Sequence, residues 1–134
     1  MDAESHINKI KITLALSAAV QSIEVIDEHV VLSNRGYFRA RLKLSNSDFL
    51  EVSEYFVFEK ESYALKRYRY QWMDNEQKVL KKRWDNAEHF QNLPKFPNHM
   101  HIGNDENVEP TEPISILELI DIIEKELSCS TESK

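Results

Sequence analysis

Hydrophobic positions near the start of the chain recur every three or four residues. Four apolar positions share this spacing: Ile7, Ile10, Leu14 and Ala18. Side chains at such intervals lie on one face of a helix, which can then pack on a core. The pattern therefore predicts an amphipathic helix over residues 3–19.

From about residue 22 the pattern changes to alternating apolar and polar positions with many β-branched residues, which is typical of half-buried strands. Five segments have this character: residues 22–32, 35–44, 49–59, 63–72 and 78–84. Turn-forming Asn, Asp and Ser residues lie between several of them. Strands joined by short turns pair with their sequence neighbours, so an antiparallel sheet of about five strands is expected.

A second helix is predicted near the C-terminus, because Ser115 and Glu118 form a capping box directly before the apolar-rich residues 116–127. Both helices are expected to cover the apolar face of the sheet. The positions expected to be buried there are Phe38, Leu42, Leu44, Val52, Phe56 and Phe58. Helix, sheet, long loop and helix together indicate a single α+β domain over residues 1–134, with a polar tail from about residue 128.

A polar stretch of about twenty residues follows the fifth predicted strand, and we expect it to be a long loop. It contains Asp85, His89, His99 and His101. Because alternate residues of an extended segment point to one side, the histidines and Asp85 are expected to converge on one pocket beside Arg83. We expect these imidazoles to be exposed to substrate and to contribute little to core packing.

Three kinds of chemistry fit this set of residues, and the sequence leaves all three open. Imidazoles can act as general base and general acid on an RNA 2′-hydroxyl and its leaving oxygen, while arginines hold the phosphate. Three imidazoles and a carboxylate also suit zinc or another first-row metal ion, although none of the strong zinc spacings is present. Finally, such side chains can hold a long loop by hydrogen-bonding its backbone.

Other polar side chains are candidates for substrate contacts. Arg67 and Arg69 lie on one face of the fourth predicted strand and Tyr70 on the other, and Asn86 follows the fifth strand. Basic and aromatic groups that interleave in this way can bind RNA, although aromatic residues in strands are more often part of a core. Glu54 is in phase with the apolar positions of its strand, so it is either paired with a neighbouring arginine or a functional carboxylate.

The net charge of −6 argues against a protein that binds nucleic acid by charge alone. The charge is uneven, since residues 1–34 carry −3, residues 35–95 carry +4 and residues 96–134 carry −7. A single cysteine, Cys129, rules out an internal disulfide, and no apolar run is long enough to span a bilayer. The polar N-terminus does not have the pattern of a signal peptide, so a cytoplasmic protein is expected.

Three stretches, RYRYQW, RWDNAEHF and LPKFPNHMH, occur in this order in the chain. Over about residues 20–125 the sequence resembles the TumE-type toxins of bacterial and archaeal toxin–antitoxin pairs. The positions that match the family pattern are Arg83, Asp85, Asn86, Ala87, His89, Phe96, Pro97, His99 and His101. The family often has histidine where this chain has Phe90 and Asn98, and these departures make a metal cage of many histidines less expected.

The resemblance implies a toxin that inhibits growth and is neutralised by a cognate antitoxin, usually a small helix-turn-helix protein encoded beside it. Charge complementarity leads us to expect that the antitoxin meets the basic middle of the chain and covers the histidine loop. A homo-oligomer is compatible with the sequence.

For the mechanism, the histidine and arginine chemistry suggests RNA cleavage without an obligatory metal ion. The residues expected to carry it are His89, His99, His101, Asp85 and Arg83. No cofactor is then expected, and a divalent metal ion at the histidine cluster is the less favoured alternative. A protein that inhibits its target only by binding is the alternative function.

Overall fold

The structure is a computed structural model that describes residues 2–60, 62–88, 92–104 and 106–132, with side chains up to residue 128. Its elements are α1 (Ala3–Leu16), β1 (Val20–Val31), β2 (Arg35–Leu44), β3 (Phe49–Glu59), β4 (Ser62–Met73), β5 (Leu80–Asp85), β6 (His99–Ile102), β7 (Val108–Pro110) and α2 (Ile116–Glu132). The strands form one sheet in the order β1 to β7, and each neighbouring pair is antiparallel. The predicted α+β class with an antiparallel meander is therefore confirmed. Neither helix in the described part of the chain is long and apolar enough to cross a bilayer.

The sheet has seven strands, two more than predicted, because the expected loop contains β6 and β7. β6 pairs with β5, and β7 pairs with β6. β6 has only four residues, so its alternation of two histidines with Met100 and Ile102 is too short to predict a strand. Backbone pairing with the end of β5 holds β6 in an extended conformation.

The first helix ends at Leu16, three residues before the predicted end. Ser17 has extended backbone angles (φ −72°, ψ 130°), and its N–H donates to the Leu14 carbonyl at 3.4 Å. The Ser17 hydroxyl donates to the Glu124 carboxylate of α2 at 2.7 Å and accepts from the Ala19 N–H at 3.2 Å. Ala18 therefore lies outside the helix although its spacing fits, because these bonds offer the backbone an alternative to another helical turn.

The start of α2 agrees with the predicted capping box. The Ser115 hydroxyl accepts from the Glu118 N–H at 3.2 Å, and the Glu118 carboxylate accepts from the Ser115 N–H at 3.1 Å. These two bonds satisfy N–H groups that a helix start leaves without intrahelical partners.

The sheet has an apolar inner face, on which both helices pack, and a polar outer face. All six predicted core residues are buried on the inner face: Phe38, Leu42, Leu44, Val52, Phe56 and Phe58. The inner side chains of β4 and β5 are also buried: Tyr68, Tyr70, Trp72 and Trp84. Because successive side chains of a strand point to opposite faces, the arginines between these aromatic residues lie on the outer face.

Glu54 is a fully buried carboxylate on the inner face of the sheet. One carboxylate oxygen lies 3.0 Å from Nε2 of His6 in α1, and the other accepts from the N–H of Ile116 in α2 at 2.8 Å. The Tyr70 hydroxyl shares its proton between this second oxygen, at 3.4 Å, and the Ile114 carbonyl, at 2.9 Å. Glu54 therefore joins both helices to the sheet. Its described partners are an imidazole, a backbone N–H and a hydroxyl group, and not the arginine that the sequence analysis expected.

We predict that Glu54→Ala destabilises the protein strongly. The variant leaves His6, Tyr70 and the start of α2 without their acceptor, and removing one member of a buried polar set costs about 3–5 kcal/mol. The measurement is the free energy of unfolding from urea denaturation. Glu59→Ala is the matched control, because Glu59 is 56 % exposed in its ion pair with Lys66 and such pairs contribute about 1 kcal/mol or less. Equal unfolding free energies for the two variants would contradict this role of Glu54.

Candidate functional site

The candidate site lies on the outer face where β5 ends, and the strand register assembles it. Asp85 of β5 is the cross-strand partner of His99 of β6, and Arg83 is the partner of His101. Directly opposed residues in an antiparallel pair point to the same face and lie close together. The predicted convergence of Asp85, His99 and His101 beside Arg83 is therefore what the structure shows, and we call these four residues the histidine cluster.

One oxygen of Asp85 is bound to His99. His99 Nε2 lies 2.8 Å from Asp85 Oδ1, and the same oxygen accepts from the Ala87 N–H at 3.0 Å. The other ring nitrogen, Nδ1, lies 2.9 Å from the Pro97 carbonyl oxygen. Both ring nitrogens of His99 thus lie within hydrogen-bond distance of an oxygen atom, and the two contacts fix the orientation of the ring.

The second oxygen of Asp85 faces Arg83 and His101. Arg83 Nε lies 3.4 Å from Asp85 Oδ2, and His101 Nε2 lies 3.8 Å from the same atom. The two imidazole rings meet edge to face with centroids 5.0 Å apart. Arg83 also reaches Gln71 Oε1 of β4 at 3.5 Å. One carboxylate is therefore in contact with two imidazoles and a guanidinium group.

The expectation that the imidazoles are exposed is wrong. His99 is 2 % exposed, His101 is 3 % exposed and Asp85 is 6 % exposed. Val108 and Pro110 of β7 are the cross-strand partners of the two histidines and flank them on the outer face. Because of this burial, replacing either histidine with alanine leaves a cavity and removes a partner of a buried carboxylate, which costs stability.

The cluster also has the composition of a metal site. The ligand atoms of Asp85, His99 and His101 all lie within 4.8 Å of one another, and two imidazoles with one carboxylate suit several first-row ions. A carbonyl that fixes the other ring nitrogen, as Pro97 does for His99, is usual for metal-binding histidines. The guanidinium of Arg83 beside Asp85 works against this reading, because it places a positive charge where the cation would bind.

Asn86 holds the end of β5 against β4. Its side-chain oxygen accepts from the Tyr68 N–H at 3.0 Å, and its amide donates to the Lys66 carbonyl at 3.0 Å. Both groups belong to the backbone of β4, so the side chain extends the ladder past the last residue of β5. Asn86 therefore positions Asp85, and both of its described hydrogen bonds are to the backbone.

Two residues near the cluster were missed by the sequence analysis. The Tyr68 hydroxyl donates to Asn98 Oδ1 at 2.9 Å, and the Asn98 amide donates to the Lys95 carbonyl at 3.1 Å. Burial, together with the charge of Asp85, raises the pKa of Tyr68, which keeps its hydroxyl protonated and able to donate. The position of Asn98 could have been singled out from the sequence, because the TumE-type toxins often have histidine there.

Arg67 and Arg69 lie exposed on the outer face of β4. Arg69 is the cross-strand partner of Asp85, which connects these arginines to the cluster. Arg69 also borders a polar groove of about 260 Å³ on the outer face, lined by Tyr37, Arg39, Glu51, Ser53, Arg69 and Gln71. Arg67 and Arg69 together form what we call the arginine surface.

The structure does not bring the other candidates to the cluster. Tyr70 and Glu54 are fully buried on the inner face, where they hydrogen-bond to each other. Burial, together with the charge of Glu54, raises the pKa of Tyr70 well above its usual value. His89 lies outside the described residues, so its place beside the cluster stays a prediction.

A family model described as toxin TumE matches residues 9–130 of the chain. This match covers nearly all of the sequence, including the four residues of the histidine cluster. No curated protein and no solved structure matches the chain.

Proposed function

The chain belongs to the TumE family of toxins, and from this premise we propose that it inhibits growth by cleaving RNA in the cytoplasm. In this proposal the histidine cluster carries out the reaction without an obligatory metal ion. The observation that carries it is the contact of one buried carboxylate with two imidazoles and a guanidinium group. These are the groups that proton transfer at a phosphodiester requires.

The proposed reaction is attack of the RNA 2′-oxygen on the adjacent phosphorus. One imidazole takes the proton from the 2′-hydroxyl, the bond from phosphorus to the 5′-oxygen breaks, and an imidazolium gives its proton to that oxygen. The products are a 2′,3′-cyclic phosphate and a 5′-hydroxyl. Arg83 stabilises the negative charge that develops on the phosphate oxygens.

Different roles for the two described histidines follow from their contacts. Both ring nitrogens of His99 are engaged, by Asp85 and by the Pro97 carbonyl, so His99 and Asp85 orient the site in this proposal. In this proposal His101, whose Nε2 lies 3.8 Å from Asp85 Oδ2, exchanges protons with the substrate. His89 is the third member of the proposed acid–base set.

Substrate binding in this proposal involves the arginine surface. Arg67 and Arg69 are exposed on the same face as the cluster, where guanidinium groups can bind phosphates along an RNA strand. Because the imidazoles are buried, RNA binding must open the outer face at the cluster. An inhibitor that acts only by binding is the second candidate function, and the same burial is the observation that favours it.

We predict that His101→Gln and His99→Gln each reduce RNA cleavage by about a hundredfold or more. Glutamine keeps a polar group in the buried site, so the loss of activity can be separated from unfolding. The measurements are cleavage of a synthetic RNA, growth after induction, and the urea midpoint of each variant. Lys78→Gln on the exposed turn before β5 is the control. Variants that stay folded and inhibit growth as the parent does would support the binding-only function.

We predict that protein dialysed against EDTA keeps its ribonuclease activity, because imidazoles can transfer the protons without a Lewis acid. The measurement is the cleavage rate before dialysis, after it, and after addition of Zn²⁺ or Mn²⁺. Activity that disappears on dialysis and returns with one of these ions would make the cluster a metal centre. Arg83→Ala serves as a further control, since it removes phosphate stabilisation and leaves the three candidate metal ligands in place.

We propose that the antitoxin, a small helix-turn-helix protein, neutralises the toxin by covering the histidine cluster and the arginine surface. Complementary charge would steer the encounter to the basic middle of the chain.

We predict that binding of the neighbouring gene's product slows amide hydrogen exchange in residues 83–101. Arg67→Glu with Arg69→Glu should weaken binding more than Lys125→Glu on α2. Protection confined to other parts of the chain would contradict this mode of neutralisation.

A further inference from the structure

The two edges of the sheet differ in length and in protection. β7 has only three residues and ends in Pro110, which cannot donate to a neighbouring strand. β1 has twelve residues, Val20–Val31, and no strand in the described part of the chain pairs with its outer side. A long edge strand presents a row of backbone groups to which another strand can add.

The β1 edge is also apolar to an unusual degree. Five apolar side chains of this strand are 36–53 % exposed: Ile23, Val25, Ile26, Val30 and Val31. Exposed apolar side chains gathered along one strand edge commonly belong to an interaction site. We call these five residues the edge patch.

We propose that the edge patch is a dimer interface, in which β1 pairs antiparallel with β1 of a second copy about a two-fold axis. The pairing doubles the seven-stranded sheet and places the two α1 helices on the same face, on either side of the axis. The histidine clusters lie on β5 and β6, near the opposite ends of the combined sheet, so the dimer interface does not cover them.

Only some registers are possible between the two β1 strands, because side chains that lie opposite each other must point to the same face of the combined sheet. Ile23 and Val25 pair with Leu42 and Ala40, so they point inward. A bulge between Val25 and Asp27 shifts the alternation, so that Val30, opposite Gly36, also points inward. The register that sets Ile23 opposite Val30 of the partner subunit keeps inward residues opposite inward residues.

Charge selects this register over the next one. It sets Glu24 opposite His29 of the partner subunit twice, once on each side of the axis. The imidazole, whose Nε2 lies 2.9 Å from Asp27 of its own strand, places no like charge opposite Glu24. A shift of two residues also preserves the faces, but it sets Glu24 opposite Asp27 of the partner subunit, which brings like charges together twice. In the favoured register Glu28 is opposite Val25, and its carboxylate is already paired with Lys11 at 2.7 Å. The edge is therefore self-complementary in one register, which is why the proposed occupant is a second copy.

The first experiment is sedimentation equilibrium over a range of protein concentrations. The expected result for the parent is about 32 kDa, twice the 15.8 kDa of one chain. Ile23→Lys with Val30→Lys should give a monomer that keeps the parent's circular dichroism spectrum, and Glu109→Lys on the β7 edge should remain dimeric. A monomeric parent at high micromolar concentration would overturn the proposal, and so would a dimer that both lysines leave intact.

A charge exchange tests the register separately. His29→Glu sets Glu24 opposite a glutamate twice and should raise the dimer dissociation constant roughly tenfold. Glu24→Lys with His29→Glu replaces this repulsion with a lysine opposite a glutamate and should bring the constant back toward the parent value. Failure of the double variant to restore association would overturn the proposed pairing. Because sedimentation does not measure RNA cleavage, these outcomes are independent of the proposed catalytic activity.

Discussion

The buried carboxylate of Glu54 is the interaction on which the arrangement of helices and sheet depends. It lies in the middle of the apolar face, where a charge without partners would cost several kcal/mol. His6, Tyr70 and the N–H of Ile116 supply its partners, and each comes from a different element. The carboxylate therefore fixes where both helices sit on the sheet, which apolar contacts alone do less specifically because they have no direction.

The sheet links this core to the histidine cluster through alternation. In β5, Trp84 is buried on the inner face between Arg83 and Asp85, which point outward. Packing of Trp84 thus determines which face Arg83 and Asp85 occupy, since a slip of one residue would exchange the two sets. The cluster is built on paired strands, and positions on strands are held more rigidly than positions on loops.

Much of the fold was predictable because long strands repeat their signal. β2 and β3 were predicted with the bounds that they have, since each contains ten or more residues of clear alternation. β6 was missed because its alternation covers only four residues, and it is held in the sheet by pairing with β5. The end of α1 was misplaced because a single hydroxyl, that of Ser17, decides it.

The residues of the candidate site were easier to predict than their environment. Spacing alone brought His99 and His101 to one side, and the position of Asp85 at a strand end brought it near them. Burial could not be inferred in the same way, because the sequence does not reveal β7, whose Val108 and Pro110 flank the two histidines. For Tyr70 and Arg69 the alternation of the strand did predict opposite faces, as the structure has them. Only the strand's faces separate a tyrosine that hydrogen-bonds Glu54 in the core from an arginine that lies beside Asp85, so function near this strand follows its register more than its composition.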